Sequence, residues 1–391
     1  MRVAVAGAGA FGKNHLRVYR ELEAAGEGVA LVAAVEPDAA RAGETAAKYA
    51  IPVFSTVDEL LAADLKIDAA TVAVPTVHHH AVASALLAAG LDLLVEKPLA
   101  ATLAEADELL ALAAKHHRIL QPGHLERFNP AVLAVQSRLH RPMFFEAHRL
   151  SIFTPRALDV DVVLDLMIHD LDIVLTFAAS PVREVRAVGL PILSPKVDIA
   201  NVRVEFESGC VANFTASRVS TERVRKLRFF EPRQYVSIDY ARRELLVIRL
   251  DEAVAGAEEH ALGAGLGAAL GAIAPSVLAQ LAAAGIGADL TTKLAESLST
   301  GKADPALLAK LAAAGVAGPA PGLSFIKPPV EPGEPLRLEI SSFLDAVRTR
   351  QQPRVTARQG REALALALEI QASMAAHAER AGLGDFFHPG A

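Results

Sequence analysis

The apolar and polar positions of the first 122 residues follow two periods in turn. Short runs of consecutive apolar residues predict strands that are buried on both faces, and stretches with apolar positions every three or four residues predict helices between them. The predicted strands are 3–6, 29–35, 69–74 and 91–95, and the predicted helices are 12–25, 37–49, 79–89 and 103–117. This alternation predicts an α/β Rossmann domain, a doubly wound parallel sheet, over residues 1–122.

The pattern changes after residue 123, where strand-like segments follow one another with little helix between them. The predicted strands are 144–153, 184–189, 201–206, 211–218, 226–230, 235–239 and 245–250, and two helices at 338–348 and 359–380 follow. Glu207-Ser208-Gly209 is typical of a hairpin turn. Residues 123–391 are therefore predicted to form an α+β domain with a large, mostly antiparallel sheet.

An Ala- and Gly-rich stretch interrupts this second domain at about residues 251–335. Its leucines recur at helical spacing, which predicts a helical insertion, with disorder as the alternative. Residues 261–288 carry no charge and are long enough to cross a bilayer, but Ala and Gly contribute little transfer free energy. No membrane span is therefore expected, and the prolines between 319 and 335 predict a linker.

Composition narrows the possible partners. The 391 residues include 39 Lys and Arg against 45 Asp and Glu, and this net charge of -6 does not favour a nucleic-acid partner. The single cysteine, Cys210, excludes an internal disulfide framework and a multi-cysteine zinc site. No apolar signal segment is evident at the N-terminus, so a cytoplasmic location is expected.

The first predicted strand runs directly into a glycine-rich motif, G-x-G-x-x-G. Gly7 permits a tight turn, Gly9 lets a pyrophosphate approach the backbone, and Gly12 allows close packing of the helix on the strand. Ala10 and Phe11 complete the loop and are expected to contact the same ligand. An ordinary strand-to-helix turn is the alternative. The position of the motif within a strand–helix alternation favours a dinucleotide site.

The end of the second predicted strand bears on which dinucleotide binds. Glu36 can accept hydrogen bonds from a ribose 2′-hydroxyl and would repel a 2′-phosphate, which favours NAD over NADP. Arg41 lies nearby in the sequence and would weaken that preference. The alternative is that Glu36 is a solvated turn residue.

Polar residues also follow the third and fourth predicted strands, at the edge where open α/β sheets bind ligands. Pro75 and Thr76 end one strand and Glu96 and Lys97 the other, and all four are predicted to contact the cofactor. His79 is expected to shape the nicotinamide pocket. A lysine there can hold a substrate hydroxyl and stabilise the alkoxide. A surface turn is the alternative interpretation of Glu96-Lys97-Pro98.

The clearest chemical signal of the second domain is a polar stripe on an apolar helix. Asp165, His169 and Asp172 fall at positions i, i+4 and i+7, on one face. A buried polar stripe is unfavourable unless its groups are paired or functional. No cysteine or second histidine pair accompanies them, so no metal is expected, and His169 is predicted to be a general base.

These motifs together resemble the glucose–fructose oxidoreductase/inositol dehydrogenase (Gfo/Idh/MocA) family. The resemblance rests on G-x-G-x-x-G, Pro75-x-x-x-His79, Glu96-Lys97-Pro98 and the D-x-x-x-H-x-x-D that begins at Asp165. It implies a catalytic triad in which His169 accepts the proton, Lys97 holds the hydroxyl and Asp165 orients them, although Lys97 remains an alternative final acceptor. It also implies a homodimer or homotetramer.

A narrower resemblance concerns residues 123–130, Gly-His-Leu-Glu-Arg-Phe-Asn-Pro. Together with the polar stripe, this segment is similar to the sugar-nucleotide 3-dehydrogenase branch. The resemblance implies oxidation of the 3-hydroxyl of UDP-N-acetylglucosamine, with its uronic acid as a related substrate. An aminotransferase would follow, in a route to lipid A with amide-linked acyl chains.

A UDP-sugar requires cations for its diphosphate. Candidates near the predicted strands are Arg149, Arg156, Arg218, Arg223, Arg225 and Lys226. The alternative for residues 223–226 is a solvated charged segment. Arg127, Asn129 and Asp172 are expected to contact the sugar. The alternative for Arg127 and Asn129 is that they only shape the crossover between the domains.

Three other functions remain open from the sequence. A dehydrogenase of a free sugar or of inositol would not need an arginine cluster. A non-catalytic NAD(P)-binding regulator would not need Lys97, Asp165 and His169 together. The insertion would also suit a scaffold for partner enzymes.

Overall fold

The computed structural model describes residues 1–154, 160–250 and 323–383. Its first sheet consists of six parallel strands. They are β1 (Arg2–Ala6), β2 (Ala30–Val35), β3 (Val53–Phe54), β4 (Ala69–Val72), β5 (Asp92–Glu96) and β6 (Leu120–Gly123). The spatial order β3-β2-β1-β4-β5-β6 reverses direction between β1 and β4, which creates a crevice for a ligand at the carboxyl ends of these strands.

Five helices connect these strands. They are α1 (Gly12–Ala24), α2 (Ala39–Tyr49), α3 (Val57–Ala62), α4 (His79–Ala88) and α5 (Leu103–Lys115). Polar side chains satisfy the free N–H groups at several helix starts: Asp38 and Thr56 cap α2 and α3, and Thr102 forms a capping box with Glu105 on α5. The predicted Rossmann architecture is confirmed.

The second sheet has eight strands. They are β7 (Phe144–Leu150), β8 (Val182–Leu190), β9 (Ile199–Phe206), β10 (Val211–Ser217), β11 (Val224–Glu231), β12 (Gln234–Asp239), β13 (Glu244–Leu250) and β14 (Leu323–Ile326). Their order is β14-β13-β12-β11-β7-β10-β9-β8. Neighbours pair antiparallel except β7 and β10, which are parallel, so the predicted mostly antiparallel sheet is confirmed.

Four α-helices occur after residue 123 in the described part of the chain: α6 (Pro130–Val135), α7 (Ile168–Ala178), α8 (Pro335–Thr349) and α9 (Ala357–Arg380). A π-helical turn, Val163–Met167, leads into α7. Side chains of α7 and α9 share a core with one face of the sheet, where Phe145, Phe214 and Phe229 are fully buried. The polar stripe that the sequence predicts therefore begins in a π-helical turn.

The C-terminal part of the chain joins the two sheets. Helix α8 follows the second sheet in sequence, yet Leu336, Ile340 and Phe343 pack in the core of the first sheet beside Leu16. Helix α9 contacts both α5 and β8. The relative positions of the two sheets, and so of the residues at their facing edges, are fixed by this return of the chain.

A short strand lies inside the segment that the sequence predicts as a linker. The prolines between 319 and 335 predict a linker, and Leu323–Ile326 within it forms an edge strand against β13. Four residues between prolines suffice to add an edge strand, because Pro removes a backbone donor only at the position that it occupies and favours extended backbone in the residue before it. The predicted helical insertion and the uncharged stretch 261–288 lie outside the described residues. Within them, none of the helices combines the length and apolarity that crossing a bilayer requires.

Candidate active site

The glycine-rich loop closes tightly at the end of β1. Gly7 has a φ of +94°, and a Cβ there would lie 2.6 Å from the Ala73 carbonyl oxygen. A Cβ on Gly12 would overlap the Gly7 carbonyl. The loop therefore needs glycine at both positions, and the N-terminus of α1 faces the crevice, which fits the phosphates of a dinucleotide. Phe11 is 37% exposed beside this loop.

Glu36 ends β2 next to the loop and is 4% exposed. Its Oε2 accepts a hydrogen bond from the Ala8 N–H at 3.0 Å, and its Oε1 accepts from the Asp38 N–H at 3.0 Å and from Arg41 Nη2 at 2.9 Å. Burial alone would raise the pKa of Glu36, but these hydrogen bonds outweigh it and lower the pKa. A fixed carboxylate at this place fits a ribose with a free 2′-hydroxyl.

The end of β5 brings Glu96 and Lys97 into the space between the two sheets. His15 Nε2 lies 2.8 Å from Glu96 Oε1, and a Cβ on Gly123 would lie 2.9 Å from the Glu96 carboxyl. Lys97 Nζ donates to the Asp165 carbonyl oxygen at 2.7 Å and lies 3.9 Å from Asp165 Oδ1. Desolvation lowers the pKa of Lys97, against the attraction of Asp165 and Glu96.

The π-helical turn carries Asp165 toward Lys97, and His169 follows in the first turn of α7. Such turns are rare and occur frequently at functional sites. Burial lowers the pKa of His169 well below 6.5, and the charges of Lys97 and Arg149 lower it further. The His169 Nδ1 is buried and has no hydrogen-bond partner among the described residues. His169 is therefore a neutral imidazole that can accept a proton.

The residues at the end of β4 divide between exposed and buried positions. Pro75 is exposed and Thr76 partly so, both next to the crevice. The imidazole of His79 is buried, with Nδ1 at 2.8 Å from the Pro98 carbonyl oxygen and Nε2 at 2.9 Å from that of Val74. His79 therefore connects the segments that follow β4 and β5, and it shapes the crevice through the backbone.

Arg127 and Asn129 lie in the crossover from the first sheet to the second, both almost fully buried. Arg127 contacts Asp172, with Nη1 at 3.3 Å from Oδ1, and also the Thr176 hydroxyl. Asn129 caps α6 through the Ala131 N–H at 3.2 Å. All three predicted sugar contacts, Arg127, Asn129 and Asp172, thus have protein partners, which favours the alternative that Arg127 and Asn129 shape the crossover.

Arg149 is 3% exposed and forms a buried ion cluster. Its guanidinium donates to both Asp170 oxygens at 2.7 and 3.0 Å and to Glu126 at 3.0 Å, and it stacks on Tyr240 at 5.0 Å. Burial would lower the pKa of Arg149, but Asp170 and Glu126 outweigh it and raise the pKa. Protein carboxylates already neutralise Arg149, which argues against the expectation that it binds a diphosphate.

The same argument applies to Arg218. It is 4% exposed, its Nε lies 3.4 Å from Asp198 Oδ1, and its Nη2 donates to the carbonyl oxygens of Val160 and Val197. Glu126 and Asp170, the partners of Arg149, both lie inside motifs of the sequence but were not predicted as its partners. Among the described residues, no group of three His, Cys, Asp or Glu side chains is arranged to hold a metal.

Comparison with known proteins agrees with this architecture. Residues 1–124 match the model of the oxidoreductase family with an NAD-binding Rossmann fold, and residues 131–233 match the GFO/IDH/MocA C-terminal domain. A UDP-N-acetylglucosamine 3-dehydrogenase from Acidithiobacillus ferrooxidans is 37% identical over 287 residues, which cover 70% of this chain and 89% of that protein. An inositol 2-dehydrogenase from Acidothermus cellulolyticus is 30% identical over 48% of this chain and 56% of its own length.

Solved structures give the same result. A structure of the Acidithiobacillus ferrooxidans UDP-N-acetylglucosamine 3-dehydrogenase aligns over 96% of this chain and 98% of its own, with a TM-score of 0.74 and 30% identity. An oxidoreductase from Agrobacterium radiobacter, solved with NAD⁺, L-tartaric acid and magnesium, shares the fold with a TM-score of 0.69 at 13% identity, 96% of each chain being covered. The predictions of an oxidoreductase and of NAD as cofactor are confirmed. The chain belongs to the Gfo/Idh/MocA family of NAD-binding oxidoreductases.

Proposed function

We propose that this protein oxidises the 3-hydroxyl of UDP-N-acetylglucosamine to a ketone, with NAD as the cofactor. The observation that carries the proposal is the contact of Lys97 with Asp165 beside the Rossmann crevice, with the partly buried His169 one helical turn further along the chain, where desolvation and the charge of Lys97 lower its pKa. Similarity to the Acidithiobacillus ferrooxidans enzyme over 89% of its length supports this choice of substrate.

The three side chains have distinct roles in this reaction. The Lys97 ammonium donates a hydrogen bond to the substrate hydroxyl and stabilises the negative charge that develops on its oxygen. His169, neutral because burial lowers its pKa, accepts the hydroxyl proton. Asp165 holds the Lys97 ammonium through its carbonyl oxygen, at 2.7 Å, and its carboxylate adds a favourable charge nearby. NAD supplies the acceptor for the hydride.

The cofactor roles follow from the crevice. Gly7 and Gly12 allow the tight loop, Gly9 leaves room for the pyrophosphate, and Glu36 accepts hydrogen bonds from the ribose hydroxyls. Further cofactor contacts are assigned to Ala10, Phe11, Pro75, Thr76, Glu96 and Lys97, whereas His79 shapes the nicotinamide pocket through the backbone. Residues 1–122 would form the NAD-binding domain, and residues 123–391 the substrate and oligomerisation domain.

The cellular setting is part of the same proposal. The ketone is the substrate that an aminotransferase requires to introduce an amine at position 3, so such an enzyme is the functional partner, in a route to lipid A. We assign the protein to the cytoplasm, where UDP-sugars are used, and to a homodimer or homotetramer.

The direct test follows NADH formation by absorbance. Purified protein receives NAD and UDP-N-acetylglucosamine, with an aminotransferase and amino donor present to remove the ketone. Lys97→Ala should abolish the signal, whereas Lys66→Ala, a matched change at an exposed lysine paired with Asp64, should not. Turnover of inositol or free hexoses in place of UDP-sugars would refute the substrate. Tight NAD binding without any turnover would indicate the regulator instead.

A further inference from the structure

Arg225 lies at the edge of the site, on the sheet face that α7 partly covers. In the antiparallel pairing of β7 with β11, Arg225 is directly opposite Arg149. Directly opposite residues project to the same face with neighbouring Cβ atoms. Arg149 is buried under Asp170 of α7, whereas Arg225 is exposed. Helix α7 therefore covers Arg149 but leaves Arg225 open to solvent.

The two arginines differ in their partners. The charge of Arg149 is matched by Asp170 and Glu126. Arg225 has no hydrogen bond or ion pair from its side chain to any residue in the part of the chain that the structure describes. The other cations of β11 do have partners: Arg228 donates to Glu146 at 2.7 Å, and Lys226 lies 4.0 Å from Asp239.

Arg225 also lies within electrostatic reach of the reacting groups. Asp170, which binds Arg149, directly follows His169 in the chain. The charge of Arg225 contributes to lowering the pKa of His169. Desolvation and the charge of Arg149 lower the pKa of Arg225 itself, as expected for a cation that is enclosed on one side and open on the other.

We propose that Arg225 binds an anionic group of the substrate next to the catalytic site. A guanidinium presents five N–H donors in a planar fork that matches the paired oxygens of a phosphate or carboxylate. The inference rests on the proposed function, in which the anion belongs to a nucleotide sugar. Its source is either the diphosphate or, for the uronic acid of that sugar, the carboxylate. Arg225 is one of the candidate cations that the sequence offers for this role, and unlike Arg149 it is exposed.

The test measures binding to the NAD-loaded protein by calorimetry, with UDP as the probe. If the anion is the diphosphate, Arg225→Gln should weaken UDP binding by about tenfold or more, the usual effect of losing a charge-assisted pair. Arg225→Lys should retain part of it. Arg228→Gln is the matched control, because Arg228 lies on the same strand and projects to the opposite face. It should leave UDP binding unchanged.

A second arm separates the two sources of the anion. The KM values of UDP-N-acetylglucosamine and of its uronic acid are compared in the wild type and in Arg225→Gln. An equal increase in KM for both sugars, together with weaker UDP binding, assigns the diphosphate. An increase in KM for the uronic acid alone assigns the carboxylate. The inference is overturned if Arg225→Gln changes neither UDP affinity nor either KM, or if the wild type binds neither UDP nor the sugars. Failure of the proposed function alone would show as UDP binding that depends on Arg225 without turnover.

Discussion

Replacing Glu339 by Gln should make the free energy of unfolding less dependent on pH. Glu339 lies in α8, is 0% exposed, and neither carboxyl oxygen has a hydrogen-bond partner among the described residues. Burial raises the pKa of Glu339 well above 4.5, and the charges of Glu96 and Asp172 raise it further. The folded protein therefore keeps this carboxyl protonated at pH values where the unfolded chain ionises it.

The sign and size of the effect follow from linkage. Because the folded pKa is raised, the stabilising contribution of Glu339 is complete below the unfolded pKa of 4.5 and is lost as the pH rises toward the folded pKa. Each pH unit between the two pKa values removes about 1.4 kcal/mol of unfolding free energy. Above pH 5 the wild type should thus lose stability through this one group as the pH rises.

Urea unfolding at several pH values checks this prediction. The free energy of unfolding of Glu339→Gln, relative to the wild type, should rise with pH over this range, because the glutamine does not ionise. Glu334→Gln is the control: Glu334 precedes α8 and pairs with Arg17 at a partly exposed position. It should not produce this rise. If the difference between Glu339→Gln and the wild type stays constant from pH 5 to 7, Glu339 is not a buried neutral acid.

Three further predictions concern the site. Gly123→Ala should destabilise the protein by about 1–3 kcal/mol in urea unfolding and lower kcat, since the added Cβ would lie 2.9 Å from the Glu96 carboxyl. Gly43→Ala is the control and should have neither effect, because a Cβ at Gly43 would meet no atom within 4 Å. His169→Gln should lower kcat about 10²–10⁴-fold, because a general base is lost. In the wild type, kcat/KM should stay constant as the pH falls through 6.5, because burial lowers the pKa of His169. An acid limb at or above 6.5 that His169→Gln removes would contradict this. Glu36→Gln should raise the KM of NAD and improve the relative use of NADP in steady-state assays, and an unchanged ratio would argue against a ribose contact.

The sequence predicted the Rossmann part well because its signals are local. Buried strands are continuous apolar runs, and glycine positions mark the turns. Two strands were nevertheless missed for physical reasons: β3 is only Val53–Phe54, and β6 has the sequence Leu-Gln-Pro-Gly. The short helix Val57–Ala62 between β3 and β4 was missed with them, because six residues are too few to show a helical period.

The arginines show where prediction from sequence ends. Arg149 is 23 residues from Glu126 and 21 from Asp170, yet all three meet in one buried cluster. Such meetings depend on how β7 packs against α7, which no local pattern reveals. An arginine near a strand end therefore has the same sequence signal whether it is neutralised, as Arg149 is, or open to a ligand, as we propose for Arg225.

The segment from Asp165 to Asp172 combines anchoring with chemistry. Asp170 binds Arg149 of the second sheet, and Asp172 binds Arg127 of the crossover, so two carboxylates of this segment fix the helix in place. His169 lies between Asp165 and these two carboxylates. A shift of Asp170 or Asp172 would break a buried ion pair. Breaking a buried pair by removing one partner leaves an uncompensated charge, which typically destabilises a protein by about 3–5 kcal/mol. The anchors therefore give His169 a fixed position relative to Lys97, and a catalytic effect of Asp170→Asn or Asp172→Asn would act through that position rather than through proton transfer.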